Sequence, residues 1–153
     1  MSATNGYPTT PKDQYYLQLA LNQAKQALEE DEVPIGAIIV SHNQILAKGY
    51  NQTERLKDPT AHAEMIAITA ACNALGSKYL RDCTLYVTVE PCLMCAGAII
   101  WSQVSRLVFG TVEPKYGYRS SKNLQLHPKT VVHSGLMANE AAELMKIFFQ
   151  SKR

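Results

Sequence analysis

His62-Ala63-Glu64 and Pro91-Cys92-Leu93-Met94-Cys95 bring together residue types that could do chemistry. A neutral imidazole and two thiolates are good zinc ligands. Three protein ligands leave the fourth tetrahedral position to water, the arrangement of a catalytic site and not of a closed structural one. Glu64, two residues past His62, is placed beside that position and not on the metal. Water activated by zinc next to a carboxylate suits hydrolytic attack at neutral pH. Other readings are weaker. A redox Cys-x-x-Cys pair has no use for His62 and Glu64, and a closed zinc site would need Cys72 or Cys83. Cys72 falls on the apolar periodicity of the helix after His62, and Cys83 opens a strand, so both read as small apolar residues. His42 lies in the turn-like Ser41-His42-Asn43, His127 precedes Pro128, and His133 ends a strand-like run. These three histidines stay outside the metal set.

The spacing also says what must hold these groups. Cys92 and Cys95 are three apart, so both reach one face of a helix. Pro91 suits a helix start, and the positive end of a helix favours thiolates. His62 follows the breaker and capping cluster Asp58-Pro59-Thr60 and precedes an apolar helical pattern over residues 61–75 that Gly76 ends. Both ligand groups are therefore expected to open helices whose N-termini converge. Around them the pattern predicts a mobile tail over residues 1–11, a helix over 12–31, and a hairpin of strands over 34–40 and 45–49, with Asn51 at its end. Residues 52–60 read as a polar loop. A strand over 84–88 leads to Pro91 and a helix over 92–102. A strand over 106–109 is broken by Gly110; a long loop covers 111–129, a short strand 130–133 and a terminal helix 138–150. A hairpin followed by strand–helix alternation predicts an α/β fold with a mixed sheet covered on both faces.

Composition bounds the rest. The chain has 153 residues, 46% apolar and 18% charged, which fits one domain with a sizeable core, residues 12–153 after the tail. No apolar run approaches a membrane span, and the first residues lack the charged and apolar regions of a secretory signal. Cysteines assigned to metal or core fit a reducing cytoplasm. A net charge of +2 does not by itself announce nucleic-acid binding. Its placement is more informative: Lys115, Arg119, Lys122 and Lys129 gather in one late segment, and Lys146, Lys152 and Arg153 lie on the last helix and tail. That distribution suits a phosphate-tracking patch.

The pairing of H-x-E with P-C-x-x-C is the signature of zinc-dependent nucleobase deaminases. Gly49-Tyr50-Asn51, Asp58 to Glu64, Val89 to Ala98, Val33 to Ala37, Arg106 to Gly110 and the basic end after Phe148-Phe149 together resemble the bacterial tRNA adenosine deaminases, from about Tyr15 onward. The resemblance implies a three-layer α/β/α cytidine deaminase-like fold around a mixed five-stranded sheet. It also implies one zinc per chain on His62, Cys92 and Cys95, and adenosine-to-inosine conversion at the wobble position of a tRNA anticodon loop. Glu64 would take a proton from water and pass protons to adenine N1 and the leaving amine. Asn51 would hydrogen-bond the base, with the Ala63 backbone and the Pro91 carbonyl as further contacts. Glu113, Lys115, Arg119, Lys152 and Arg153 would hold the RNA, and the family pairs as homodimers, for which Ile99-Ile100-Trp101 offers an apolar run. The chain departs from the family at Glu113-Pro114-Lys115-Tyr116-Gly117, where Asp-x-Lys-x-Gly is usual. Asp58 to Glu64 and Trp101 also resemble guanine deaminases, so deamination of a free base is the second reading.

Overall fold

The computed structural model describes residues 9–153. The expected tail over 1–11 lies outside them up to residue 8. Its end belongs to the first helix, α1 (Pro11–Glu29), which Thr10 caps. The Thr10 hydroxyl accepts from the Asp13 N–H and the Asp13 carboxylate accepts from the Thr10 N–H. Next come β1 (Gly36–Ser41), β2 (Gln44–Tyr50), α2 (Thr53–Leu56), α3 (Ala63–Leu75), β3 (Cys83–Val89), α4 (Leu93–Ser102), β4 (Arg106–Thr111), a 3₁₀ turn at Tyr118–Ser120, β5 (Val131–Ser134) and α5 (Ala138–Ser151).

The strands form one sheet in the order β2-β1-β3-β4-β5. β1 runs antiparallel to both neighbours, and β3, β4 and β5 are parallel. Alternation along the strands divides the core. Ala37, Ile39, Leu85, Val87, Leu107 and Phe109 face α3 and α4, while Ile38, Val40, Tyr86 and Val108 face α1. α5 packs beside α1 on that second face. The fold is therefore the expected three-layer α/β/α arrangement around a mixed five-stranded sheet.

Two stretches differ from the sequence expectation. Residues 52–60 are not all loop: α2 is one turn of helix, and its first amides need acceptors. The buried Glu32 carboxylate supplies them, accepting from the Glu54 and Arg55 N–H groups at 3.1 and 2.8 Å. Nor does Gly110 break β4, which runs on to Thr111, whose carbonyl accepts from the Glu90 N–H at 2.8 Å. Pairing with the end of β3 carries the strand past the glycine.

One buried ion pair ties the layers. Arg106 on β4 grips both oxygens of Asp13 at 2.7 Å, and the Tyr86 hydroxyl donates to the same carboxylate at 2.6 Å. Burial alone would raise the Asp13 pKa. The Arg106 guanidinium, the Tyr86 hydroxyl and the Thr10 amide outweigh it and hold the carboxyl down at about 2.

Candidate active site

The two ligand groups arrive on helix N-termini. His62 is the N-cap of α3 and Cys92 the N-cap of α4, both in extended backbone conformation, and Cys95 lies one turn into α4. Their side chains converge. His62 Nδ1 lies 3.6 Å from Cys92 Sγ and 3.6 Å from Cys95 Sγ, and all three ligand atoms fall within 4.8 Å of one another. No other cluster of metal-capable side chains of this kind stands out among the described residues. Cys72 and Cys83 are elsewhere, with burial pushing both thiols up, as small core residues. His42 and His127 are exposed and His133 is buried in β5, all three outside the cluster.

Two sulfurs and an imidazole this close compete for protons. The Cys95 contact, helped by His62, holds the Cys92 thiol low, at about 4, while the same contact and burial push Cys95 far up. The Cys92 thiolate in turn raises His62. The set gathers negative charge against an imidazole at two positive helix ends, a donor set that fits zinc. Glu64 sits in the first turn of α3, buried, and its Oε1 has no hydrogen-bond partner. Burial pushes its carboxyl up to about 7, with the Cys92 charge adding to the rise against its own backbone amide. An orphaned carboxylate oxygen next to three convergent ligands is what a proton carrier for a water at that site requires.

Asn51 is buried directly after β2. Two contacts bring it to the site. The Gln52 N–H donates to the Ala61 carbonyl at 3.0 Å, closing the chain back to the residue before His62. Gly49 lets β2 approach α3, since a Cβ there would lie 2.6 Å from the Ala63 carbonyl oxygen. The Asn51 N–H donates to the Ile35 carbonyl at 3.1 Å, which fixes its backbone at the strand end. Ala63 is fully buried at the first position of α3, where a helix amide has no acceptor within the helix.

The loop after β4 is fastened to the ligand turn. Cys92 pairs with Gly117 in an antiparallel bridge, and the Tyr118 N–H donates to the Pro91 carbonyl at 2.8 Å. That bond takes one of the two acceptor positions of the Pro91 oxygen. The centre of the arrangement is Glu90, which sequence reasoning assigned no role. Its buried carboxylate accepts from the Glu113 N–H at 3.0 Å and the Arg119 N–H at 2.9 Å, and pairs with Arg119 Nε at 3.5 Å. Gly117 fits because a Cβ there would come within 2.3 Å of Glu90 Cδ. The only sequence signal was an acid ending an apolar strand just before Pro91.

The expected RNA contacts divide. Arg119 is held by Glu90 and lies over the Phe109 ring at 4.8 Å, so it anchors the loop and is not a free cation. The Glu113 carboxylate accepts from the Lys115 and Tyr116 N–H groups at 2.8 and 3.1 Å, which shapes the turn. Lys152 pairs with Asp31 at the surface at 2.6 Å. Lys115 and Arg153 are exposed and carry no ion pair among the described residues.

A five-stranded mixed sheet with a His-Cys-Cys cluster on two converging helices, and beside it a buried glutamate with one unpartnered oxygen, defines a zinc-site deaminase. Residues 10–111 match the cytidine and deoxycytidylate deaminase zinc-binding region. The tRNA-specific adenosine deaminase of Aquifex aeolicus (strain VF5) is 44% identical over 144 residues, covering 92% of this chain and 95% of its own. A structure solved in work on A-to-I editing by tRNA:A34 deaminases superposes with a TM-score of 0.78 at 42% identity, covering 85% of this chain and 98% of its own. A guanine deaminase from Nitrosomonas europaea also superposes, with a TM-score of 0.76 at 22% identity over 95% of this chain and 89% of its own, a likeness of fold alone. The chain belongs to the cytidine and deoxycytidylate deaminase zinc-binding family, in its tRNA-specific adenosine deaminase branch.

Proposed function

We propose that this protein deaminates adenosine to inosine at the wobble position of a tRNA anticodon loop. The observation that carries the reading is identity above 40% along nearly the whole chain with tRNA-specific adenosine deaminases, against 28% or less with guanine deaminases of similar fold. His62, Cys92 and Cys95 would hold the zinc, which when bound supplies Lewis acidity that makes water a nucleophile at neutral pH.

The chain's own groups do the rest. Glu64 takes a proton from the attacking water as its oxygen bonds to adenine C6, and delivers it to N1. It then moves a second proton to the exocyclic nitrogen; the C6–N bond breaks and ammonia leaves. The balance is adenosine plus water to inosine plus ammonia. One carboxylate serves each transfer, and its unpartnered Oε1 supports that role. The Asn51 side-chain amide and the Ala63 N–H orient the base, with the Pro91 carbonyl beside them. An adenine must leave its stack to enter such a pocket, so an unpaired loop base is an easier substrate than a duplex one. Lys115 and Arg153 meet the loop phosphates, and Lys152 joins them by releasing its exposed pair with Asp31.

The reading includes a homodimer, supported by Trp101, 82% exposed on α4 beside a half-buried Ile100. A monomer mass at micromolar concentration would remove that part. No helix among the described residues is long and apolar enough to cross a membrane, and a cytoplasmic location is the one the proposed tRNA substrate suits. The deciding experiment measures inosine in a stem-loop with A at the wobble position, in the same loop with A elsewhere, and xanthine formation from guanine. Turnover of guanine with neither RNA would replace this reading by the free-base one.

A further inference from the structure

Tyr116 is the residue of the site region that the reaction leaves without a role. The residue is 64% exposed, and Lys115 Nζ stands 5.1 Å from its ring centroid. An exposed aromatic on a loose loop would mean little, but this loop is held. Glu113 Oε1 accepts from the Lys115 and Tyr116 amides, and Glu90 accepts from the Glu113 and Arg119 amides on either side. The next residue, Gly117, pairs with the metal-ligand residue Cys92, and Tyr118 is bonded to Pro91. Two carboxylates therefore fix the backbone under the ring, one residue from a contact with the ligand turn. A platform ordered before binding avoids much of the entropy lost on association.

We propose that Tyr116 is a base-stacking residue, its ring taking an unpaired nucleobase next to the target adenosine while Lys115 meets the adjoining phosphate. Every base has a π-face, so stacking on an aromatic with a cation beside it suits single-stranded RNA. The inference rests on the RNA reading above. It concerns the position between Lys115 and Gly117, which the family segment leaves open and this chain fills with tyrosine.

The test uses the full-length, zinc-loaded protein and a stem-loop with A at the wobble position. The same RNA is also made abasic at the nucleotide on the 5′ or the 3′ side of that adenosine. Tyr116→Ala is expected to raise KM about five- to hundredfold, the range of base–aromatic stacking, with kcat within about threefold and zinc content unchanged. Tyr116→Phe and Tyr116→Trp keep a ring and should stay near the wild type. One abasic RNA should weaken the wild type by a similar factor and scarcely affect Tyr116→Ala, because the two changes remove the same contact. The salt dependence of binding should be unchanged in Tyr116→Ala and shallower by about one unit of slope in Lys115→Ala. A wild-type KM in Tyr116→Ala, or equal losses with the intact and both abasic RNAs, would overturn the inference while leaving the function intact. A wild type that does not act on the intact stem-loop would overturn the RNA reading and this inference with it.

Discussion

Glu90→Gln tests whether a buried carboxylate holds the substrate-side loop, and the structure gives its size. The two oxygens accept from the Glu113 and Arg119 amides at 3.0 and 2.9 Å, and the charge faces Arg119 Nε at 3.5 Å. Glutamine has nearly the same shape but only one carbonyl oxygen. One backbone N–H keeps an acceptor, and the other meets an NH2 group, donor against donor. Hydrogen bonds to a charged group contribute about 1.5–3 kcal/mol each, and breaking a buried ion pair costs about 3–5 kcal/mol. The Arg119 side chain is 19% exposed and retains the Phe109 ring, so water and the ring offset part of its loss. The low end applies: we expect about 3 kcal/mol of destabilisation. For a chain of this length that is a fall in Tm of about 6–12 °C. The assay is thermal unfolding of the zinc-loaded protein together with amide exchange at Glu113 and Arg119. Both amides should lose protection while zinc content holds, because Cys92 keeps its place at the start of α4. A loss below about 1 kcal/mol with unchanged protection would refute the claim that this carboxylate fastens the loop.

Three further outcomes follow from the same geometry. Cys92→Ala and Cys95→Ala should each lose most of the zinc and weaken the fold, since metal binding and folding are coupled; metal analysis showing full retention in both would remove the ligand assignment. Glu64→Ala should keep zinc and fold but lose at least about 10²-fold in turnover, and near-normal turnover would mean another group moves the proton. Asp13 has a folded pKa of about 2 against an ordinary 3.8. Its pair with Arg106 therefore contributes fully above the ordinary value and is lost as pH falls from about 4 to about 2. The contribution is about 2 kcal/mol at 1.36 kcal/mol per unit. Unfolding free energies between pH 2 and 6 should fall along that limb in the wild type and stay flatter in Asp13→Asn; equal slopes would refute the linkage.

What the sequence revealed and what it concealed divide along one physical line. His62, Glu64, Cys92 and Cys95 were legible because ligands carried on one helix turn must be close in sequence. α3 was legible because its burial repeats at the helical period, and β3 because a short, nearly continuous buried run of β-formers ends just before Pro91. Gly110 misled because a glycine in an apolar run reads the same whether it stops a strand or continues it. Bonds made across the fold left no local trace. Asp13 meets Arg106 from 93 residues away, Glu32 caps a turn of helix more than 20 residues on, and Glu90 fastens a loop that begins 23 residues later. Those long-range bonds are also what separate a structural acid from a catalytic one. Four carboxylates are buried among the described residues: Asp13, Glu32, Glu64 and Glu90. In three of them both oxygens accept hydrogen bonds from distant segments, so their positions are fixed. Only Glu64 keeps an oxygen without a partner. A buried, unpartnered carboxylate oxygen costs stability wherever it occurs. That cost is tolerated where the oxygen must be free to take up and release a proton, and here it lies beside the convergent His62, Cys92 and Cys95.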